Sequence, residues 1–233
     1  MCEEIDLERD GFSVVEALLT KRDVDRIRDE LNKLAPGEGV GARKGRVFGA
    51  RNLLTRLPSL RAIVESTSLS SSMKRLIGKH ARPVRCLFFD KNASANWAVI
   101  WHQDLTIAVR QKRRVAGFGP WTLKAGVHHV QPPVRVLETM MTLRLHLDMT
   151  DEANGALRVI PGSHRLGRLS PSQIEQLTTI ETARACPVAA GGALFMKPLL
   201  LHSSMSCASP SHRRVVHIEF SADELPGGLE WYG

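Results

Sequence analysis

Trp97-Ala98-Val99-Ile100-Trp101-His102-Gln103-Asp104 begins as an apolar run and ends in two side chains able to bind a metal. A run of this length and composition reads as a strand, on which residues two apart point the same way. His102 and Asp104 would then project together, with Cα atoms roughly 6.5 Å apart, while Gln103 points to the opposite face. A His-x-Asp pair is common on ordinary polar strand faces, so its meaning depends on a third ligand.

Far downstream, Leu199-Leu200-Leu201 is the kind of continuous apolar run that fills a buried strand, and His202 ends it. Two imidazoles and one carboxylate on one side of an ion leave the opposite positions open, which is the ligand set of non-haem Fe(II) oxygenases. Arg213 opens a further strand pattern, Arg213 to Phe220. Its guanidinium fork can hold a carboxylate in bidentate fashion and does not lose its proton.

Asn154-Gly155-Ala156-Leu157-Arg158-Val159-Ile160-Pro161-Gly162-Ser163-His164 resembles the signature loop and strand of the phytanoyl-CoA dioxygenase family. The resemblance runs from about Gly11 to the C-terminal strand. His102, Asp104 and His202 match the family's iron ligands, and Arg213 matches its 2-oxoglutarate anchor. The resemblance implies a mainly β (α+β) chain whose core is a double-stranded β-helix, the cupin-like jelly roll. It also implies Fe(II), 2-oxoglutarate and O2, and oxidation of an unactivated C–H bond of a small molecule with release of succinate and CO2. Phytanoyl-CoA itself is not implied. Gln103 and Ser204 are placed by the same resemblance to hydrogen-bond the co-substrate. Halogenating relatives lack the carboxylate ligand, so Asp104 favours hydroxylation or a desaturation-like outcome.

The pattern along the chain suits one domain spanning 1–233. A mostly helical buttress occupies 1–80: after a short strand at Gly11 to Val15, Thr20 and Asp23 form a capping box for a helix carrying Val24, Ile27, Leu31 and Leu34 on one face. Pro58 starts a second helix, and a third runs from Met73 to Ile77, stopped by Gly78. The jelly-roll core occupies 84–220, with strands expected at 84–89, 97–104, 139–147, 157–160, 193–196, 199–202 and 213–220, and one short helix capped by Ser170-Pro171. In 141–148, Met141, Leu143, Leu145 and Leu147 share one face, and Thr142, Arg144, His146 and Asp148 the other. Alternation leaves open whether that polar face, Arg144 above all, lines a cavity or meets solvent. His164, His128, His129 and His217 read as structural residues.

Residues 110–133 are rich in Gly, Pro and basic side chains: Arg110, Lys112, Arg113, Arg114, Trp121 and Lys124. A loop of this length inside a compact domain is usually functional. It is expected to fold over the site as a lid, with Arg110 and Trp121 joining Arg144 as substrate contacts and its cations favouring an anionic substrate.

Composition narrows the alternatives. A chain of 233 residues that is 43% hydrophobic can bury one substantial core. Cys2, Cys86, Cys186 and Cys207 show no metal or disulfide spacing. These free thiols, with no leader or membrane-spanning stretch, point to a cytoplasmic protein. The net charge of +8 invites a nucleic-acid reading. A single Tyr and 5% aromatics, with no basic run interleaved with stacking residues, argue against it. Two further classes stay open: a cupin-type metalloenzyme that uses the same ligands without 2-oxoglutarate, and a non-catalytic metal- or ligand-binding jelly-roll module that keeps only the fold, although such modules usually lose a ligand and all three are present here.

Overall fold

The computed structural model describes residues 4–208 and 211–233; Cys2 lies outside them. In chain order the strands are β1 (Phe12–Val15), β2 (Val40–Arg43), β3 (Arg46–Arg51), β4 (Arg82–Asn92), β5 (Val99–His102), β6 (Ile107–Val109), β7 (Trp121–Lys124), β8 (Val127–Val130), β9 (Met141–His146), β10 (Leu157–Val159), β11 (Arg184–Cys186), β12 (Ala193–Met196), β13 (His202–Ser204) and β14 (His212–Ser221). The helices are α1 (Glu4–Arg9), α2 (Lys21–Asn32), α3 (Pro58–Val64), α4 (Thr67–Ile77), α5 (Val134–Glu138) and α6 (Pro171–Ile180).

Among the described residues the strands form a seven-stranded sheet in the order β1-β12-β9-β14-β4-β3-β2, a four-stranded sheet β11-β10-β13-β5, and a three-stranded sheet β6-β8-β7. The two larger sheets close on each other through Leu157, Val159, Leu194, Met196 and Leu200, giving the expected jelly roll. On the outer face of the large sheet, Phe88, Leu143, Leu145, Phe195, Val216 and Ile218 pack against Ile27 and Leu31 of α2, Leu60 of α3 and Met73 of α4. The alternate residues of β4, β9 and β14 point inward, because side chains on a strand change face with a period of two.

The helical signals hold. Thr20 accepts the Asp23 backbone N–H at 3.2 Å and Asp23 accepts that of Thr20 at 3.1 Å, the reciprocal cap that opens α2. Ser170 and Gln173 cap α6 in the same way, and α4 begins earlier than read, at the Ser66 cap.

Three expectations need correction. The first 80 residues are not only a helical buttress: β2 and β3 form a hairpin whose inner strand pairs with β4 and extends the main sheet. Its turn, Lys44-Gly45, has positive φ at both positions (50° and 75°), as a two-residue hairpin requires. The stretch 110–133 is not a structureless lid: β7 and β8 form a second such hairpin through Ala125-Gly126 (φ 48° and 73°), and β8 also pairs with β6. Val109, Phe118, Val130 and Trp231 form the apolar cluster beneath it. Finally, Leu199–Leu201 is a buried turn closed by Leu200 N–H donating to Lys197 at 3.0 Å, and the strand starts at His202. Three leucines in a row fix burial but not backbone shape.

Candidate active site

Two short strands of the smaller sheet carry the histidines. His102 closes β5, His202 opens β13, and the two are antiparallel partners with ring centroids 4.2 Å apart. Asp104 lies just past the end of β5, where its backbone N–H donates to Pro198 at 2.9 Å. His102 and Asp104 therefore do not share a strand. The turn after β5, rather than strand periodicity, returns the carboxylate to the histidines.

The Pro161-Gly162-Ser163-His164 turn helps to set this alignment. Ser163 Oγ donates to Ile160 and accepts the Leu201 N–H at 2.9 Å, so the turn is fastened to the residue before His202. Gly11 packs so closely on His164 that a Cβ there would meet the imidazole, which agrees with the structural reading of His164.

The donor atoms of His102, Asp104 and His202 all lie within 4.8 Å of one another. Nε2 of His102 is 3.9 Å from Asp104 Oδ1, and Nε2 of His202 is 3.8 Å from Oδ2. Cis ligands of one ion with bonds of roughly 2.1 Å stand about 3 Å apart, so each His–Asp distance needs to close by under about 1 Å. Nδ1 of each ring is 2.8 Å from a carbonyl two residues earlier, Ile100 for His102 and Leu200 for His202. A carbonyl only accepts, so each Nδ1 carries a hydrogen and Nε2 is the nitrogen each ring turns to the centre.

Burial pushes His202 down to about 4, and it is neutral at neutral pH. Burial of Asp104 works against its charge, but His202, His217, His102 and Arg85 outweigh it and hold the carboxyl well below the usual carboxylate range. Asp104 Oδ2 is buried without a hydrogen-bond partner. An ionised oxygen left bare between two imidazole nitrogens suits a divalent cation, because a buried unpaired charge is otherwise costly.

A cavity of about 200 Å³ opens on this group and is walled by Arg144, Ser204 and Arg213 on one side and Arg85, Phe89 and Trp97 on another. Arg213 is 4% exposed. Burial lowers it to about 10, which leaves it charged. One of its terminal nitrogens donates to the Gly155 carbonyl, and its Nε has no partner. Gly155 has φ 81°, and a Cβ there would collide with the Met205 carbonyl, which is why glycine occupies this point of the signature loop. Arg144 settles the question its strand left open: it lines the cavity, its Nη1 lies 3.1 Å from His217 Nδ1, and its Nε also lacks a partner.

The structure brings together His102, Asp104, His202, Arg213, Ser204 and Arg144, and leaves three expected contacts elsewhere. Gln103 donates to Gly167 and Leu199 at 2.8 and 2.7 Å and accepts the Leu169 N–H at 2.9 Å. Its amide is spent on the backbone outside the cavity. Arg110 lies on the surface beside Glu230, and Trp121 packs edge-on to His128; neither reaches the metal group.

Sequence reasoning missed Lys91, Arg85, His217 and Glu219. Lys91 is fully buried and donates to Ser204 Oγ at 2.9 Å and to the Met205 carbonyl. Burial, with Arg213 and Arg144 nearby, lowers it to about 7. Arg85 pairs with buried Glu219 at 2.6 Å, and Glu219 lies 3.3 Å from His217 Nε2. The signal was the alternation of Arg85, Leu87, Phe89 and Lys91 opposite Glu219, His217, Val215 and Arg213 on paired β4 and β14.

Comparison with known proteins places this arrangement in context. The chain is similar in fold to AviO1 from Streptomyces viridochromogenes Tue57 (TM-score 0.68, 19% identity, covering 96% of this chain and 94% of that one). It is likewise similar to EctD from S. alaskensis with 2-oxoglutarate and 5-hydroxyectoine (0.73, 14%, 94% and 74%). The nogalamycin-biosynthesis epimerase SnoN, in complex with Fe3+, alpha ketoglutarate and nogalamycin RO, also shares the fold (0.67, 15%, 97% and 89%). No curated protein is recognisably similar in sequence. Residues 7–215 match the phytanoyl-CoA dioxygenase (PhyH) family, and the chain belongs to that family.

Proposed function

We propose that this protein is an Fe(II)- and 2-oxoglutarate-dependent oxygenase that hydroxylates a C–H bond of a small molecule. The observation that carries the reading is the pairing, in one cavity, of the His102-Asp104-His202 group with buried Arg213. His102 and His202 would hold the ion through Nε2 and Asp104 through its partnerless oxygen, leaving the opposite side open. Arg213 would take the far carboxylate of the keto acid through its free Nε edge, with Ser204 beside it. Among the described residues, Lys91, Arg144, Arg213 and Arg85 around the interior are faced by the acids Asp104 and Glu219, so the chamber favours a dianionic co-substrate. The same co-substrate was found in EctD and SnoN. When bound, iron and 2-oxoglutarate supply the activation of O2 that C–H oxidation needs, the keto acid leaving as succinate and CO2.

Anaerobic addition of Fe(II) followed by 2-oxoglutarate is expected to produce a visible metal-to-ligand charge-transfer band that is absent in His102→Ala. Turnover with substrate is expected to release succinate. A protein that binds Fe(II) but gives neither band nor succinate would be a cupin-type enzyme instead, with Arg213 incidental.

A further inference from the structure

Next to the metal cavity lies a second, larger one of about 400 Å³, and the two share Leu87, Phe89 and Trp97 as a common wall. The floor of the second cavity is the inner face of the β2–β3 hairpin. Gly41 and Gly49 are cross-strand partners there, and Gly49 is in turn opposite Phe89. The Phe48 ring packs over Gly41, 3.0 Å from where a Cβ would stand, and Gly49 is left bare just where the sheet runs out from the metal-bearing barrel. Phe48 closes the slot, edge-on to Trp97 with ring centroids 6.1 Å apart. Ala125, from the β7–β8 turn, forms the opposite rim.

One charged side chain lines this slot. Arg51, the register partner of Leu87, is half-buried and makes no side-chain hydrogen bond or ion pair among the described residues. Arg85 and Lys124 stand close enough to affect its surroundings: Arg51 is lowered by burial and by Arg85, and Lys124 by burial and by Arg51 and Arg85. Glu219 pairs with Arg85, and among the described residues Arg51 and Lys124 have no ion-pair partner at this apolar, aromatic slot, whose nearest acid is Glu38 beside Gly126 at the rim.

We propose that this slot is the subsite for the molecule being oxidised, and that it takes a compound with a flat apolar body and one anionic group. The body lies over Gly49 between Phe48, Phe89 and Trp97, and Arg51 holds the anion. Leu87, Phe89 and Trp97 line both spaces, which sets the slot directly beside the metal cavity. This assignment rests on the oxygenase reading for its chemistry, but the binding it requires does not depend on iron.

The test uses 3-phenylpropionate and its neutral amide as probes, with binding measured by ligand-observed NMR and calorimetry on the whole protein, both metal-free and loaded anaerobically with Fe(II) and 2-oxoglutarate. The wild type is expected to bind the carboxylate about tenfold tighter than the amide, and Arg51→Gln to reduce that ratio to roughly two or less. Gly49→Leu, which fills the floor at a position of ordinary φ, is expected to weaken both probes by about tenfold or more. Arg110→Gln, on the surface, should leave the ratio unchanged. The charge-transfer titration should match wild type in all three variants, which also shows that they are folded. Equal binding of the two probes, no binding of either, or a ratio that survives Arg51→Gln would overturn the assignment. Loss of the charge-transfer band with the Arg51-dependent ratio intact would instead sink the oxygenase reading and leave the slot standing.

Discussion

His102 and His202 are antiparallel partners on β5 and β13, and each anchors its Nδ1 to the carbonyl two residues before it, at 2.8 Å in both cases. The backbone thus fixes Nδ1 as a donor in both rings and leaves Nε2 as the nitrogen that faces Asp104. Ligands fixed in this way bind without the cost of reorienting two rings. His102→Ala is therefore expected to weaken Fe(II) binding by roughly 100-fold or more. Because His102 is only partly buried, its thermal unfolding should stay close to wild type. Anaerobic metal titration beside a melting curve checks both halves, and unchanged Fe(II) affinity would remove His102 from the ligand set.

Arg213 lines the cavity with its Nε buried and partnerless while a terminal nitrogen is tied to Gly155. Removing a buried cation that pairs with a carboxylate costs about 2–3 kcal/mol of binding, or roughly 30- to 150-fold. Arg213→Met is expected to raise the half-saturating 2-oxoglutarate concentration by that factor, with Fe(II) affinity unchanged. Arg213→Lys should recover little, since an ammonium cannot reproduce the fork. Full affinity in Arg213→Met would exclude it as the anchor.

Lys91 gives the fold a pH signature. In the folded protein it loses its proton near about 7, against an ordinary value of 10.5. Between these limits the unfolded chain binds more protons than the folded one, so stability rises with pH; below about 7 both states are protonated and the dependence ends. Urea unfolding of wild type and Lys91→Met across pH 6 to 10 should show the wild type gaining on the variant above about pH 7. A difference that stays flat with pH would mean that Lys91 is not titrating in the interior.

Gln103 holds two carbonyls and one N–H of neighbouring segments through a single buried amide. Gln103→Ala leaves those groups unpaired and is expected to cost about 3 kcal/mol of stability. The variant's charge-transfer titration with 2-oxoglutarate should match wild type at a temperature where it remains folded. A selective loss of co-substrate affinity would restore Gln103 to the cavity.

Much of the framework was legible from local pattern. The Thr20-Asp23 box, Pro58 and the Ser170-Pro171 start mark helices because caps act within one turn of chain, and β9, β12 and β14 follow their runs of apolar residues. The two hairpins were missed although their two-residue, glycine-containing turns were there to read, Lys44-Gly45 and Ala125-Gly126. Their strands are short and polar, so glycine and charge in 110–133 looked like loop composition. The opposite error at Leu199–Leu201 has a related origin, since an apolar run reports burial without reporting φ and ψ.

By itself, then, the sequence determined which atoms could bind the metal and the keto acid, because ligand chemistry resides in residue type: His102, Asp104, His202 and Arg213 have those capacities wherever they sit. Only the tertiary structure decided which partly polar strand faces would be enclosed. Closing the large sheet against the small one turned Arg85, Lys91, Arg144 and His217 from alternating polar positions into the lining of a buried chamber, while Gln103, one residue from a ligand, was turned to the backbone outside it. Alternation places a side chain on one face of a strand; what that face meets depends on pairings between segments far apart in the chain, and no local pattern encodes them.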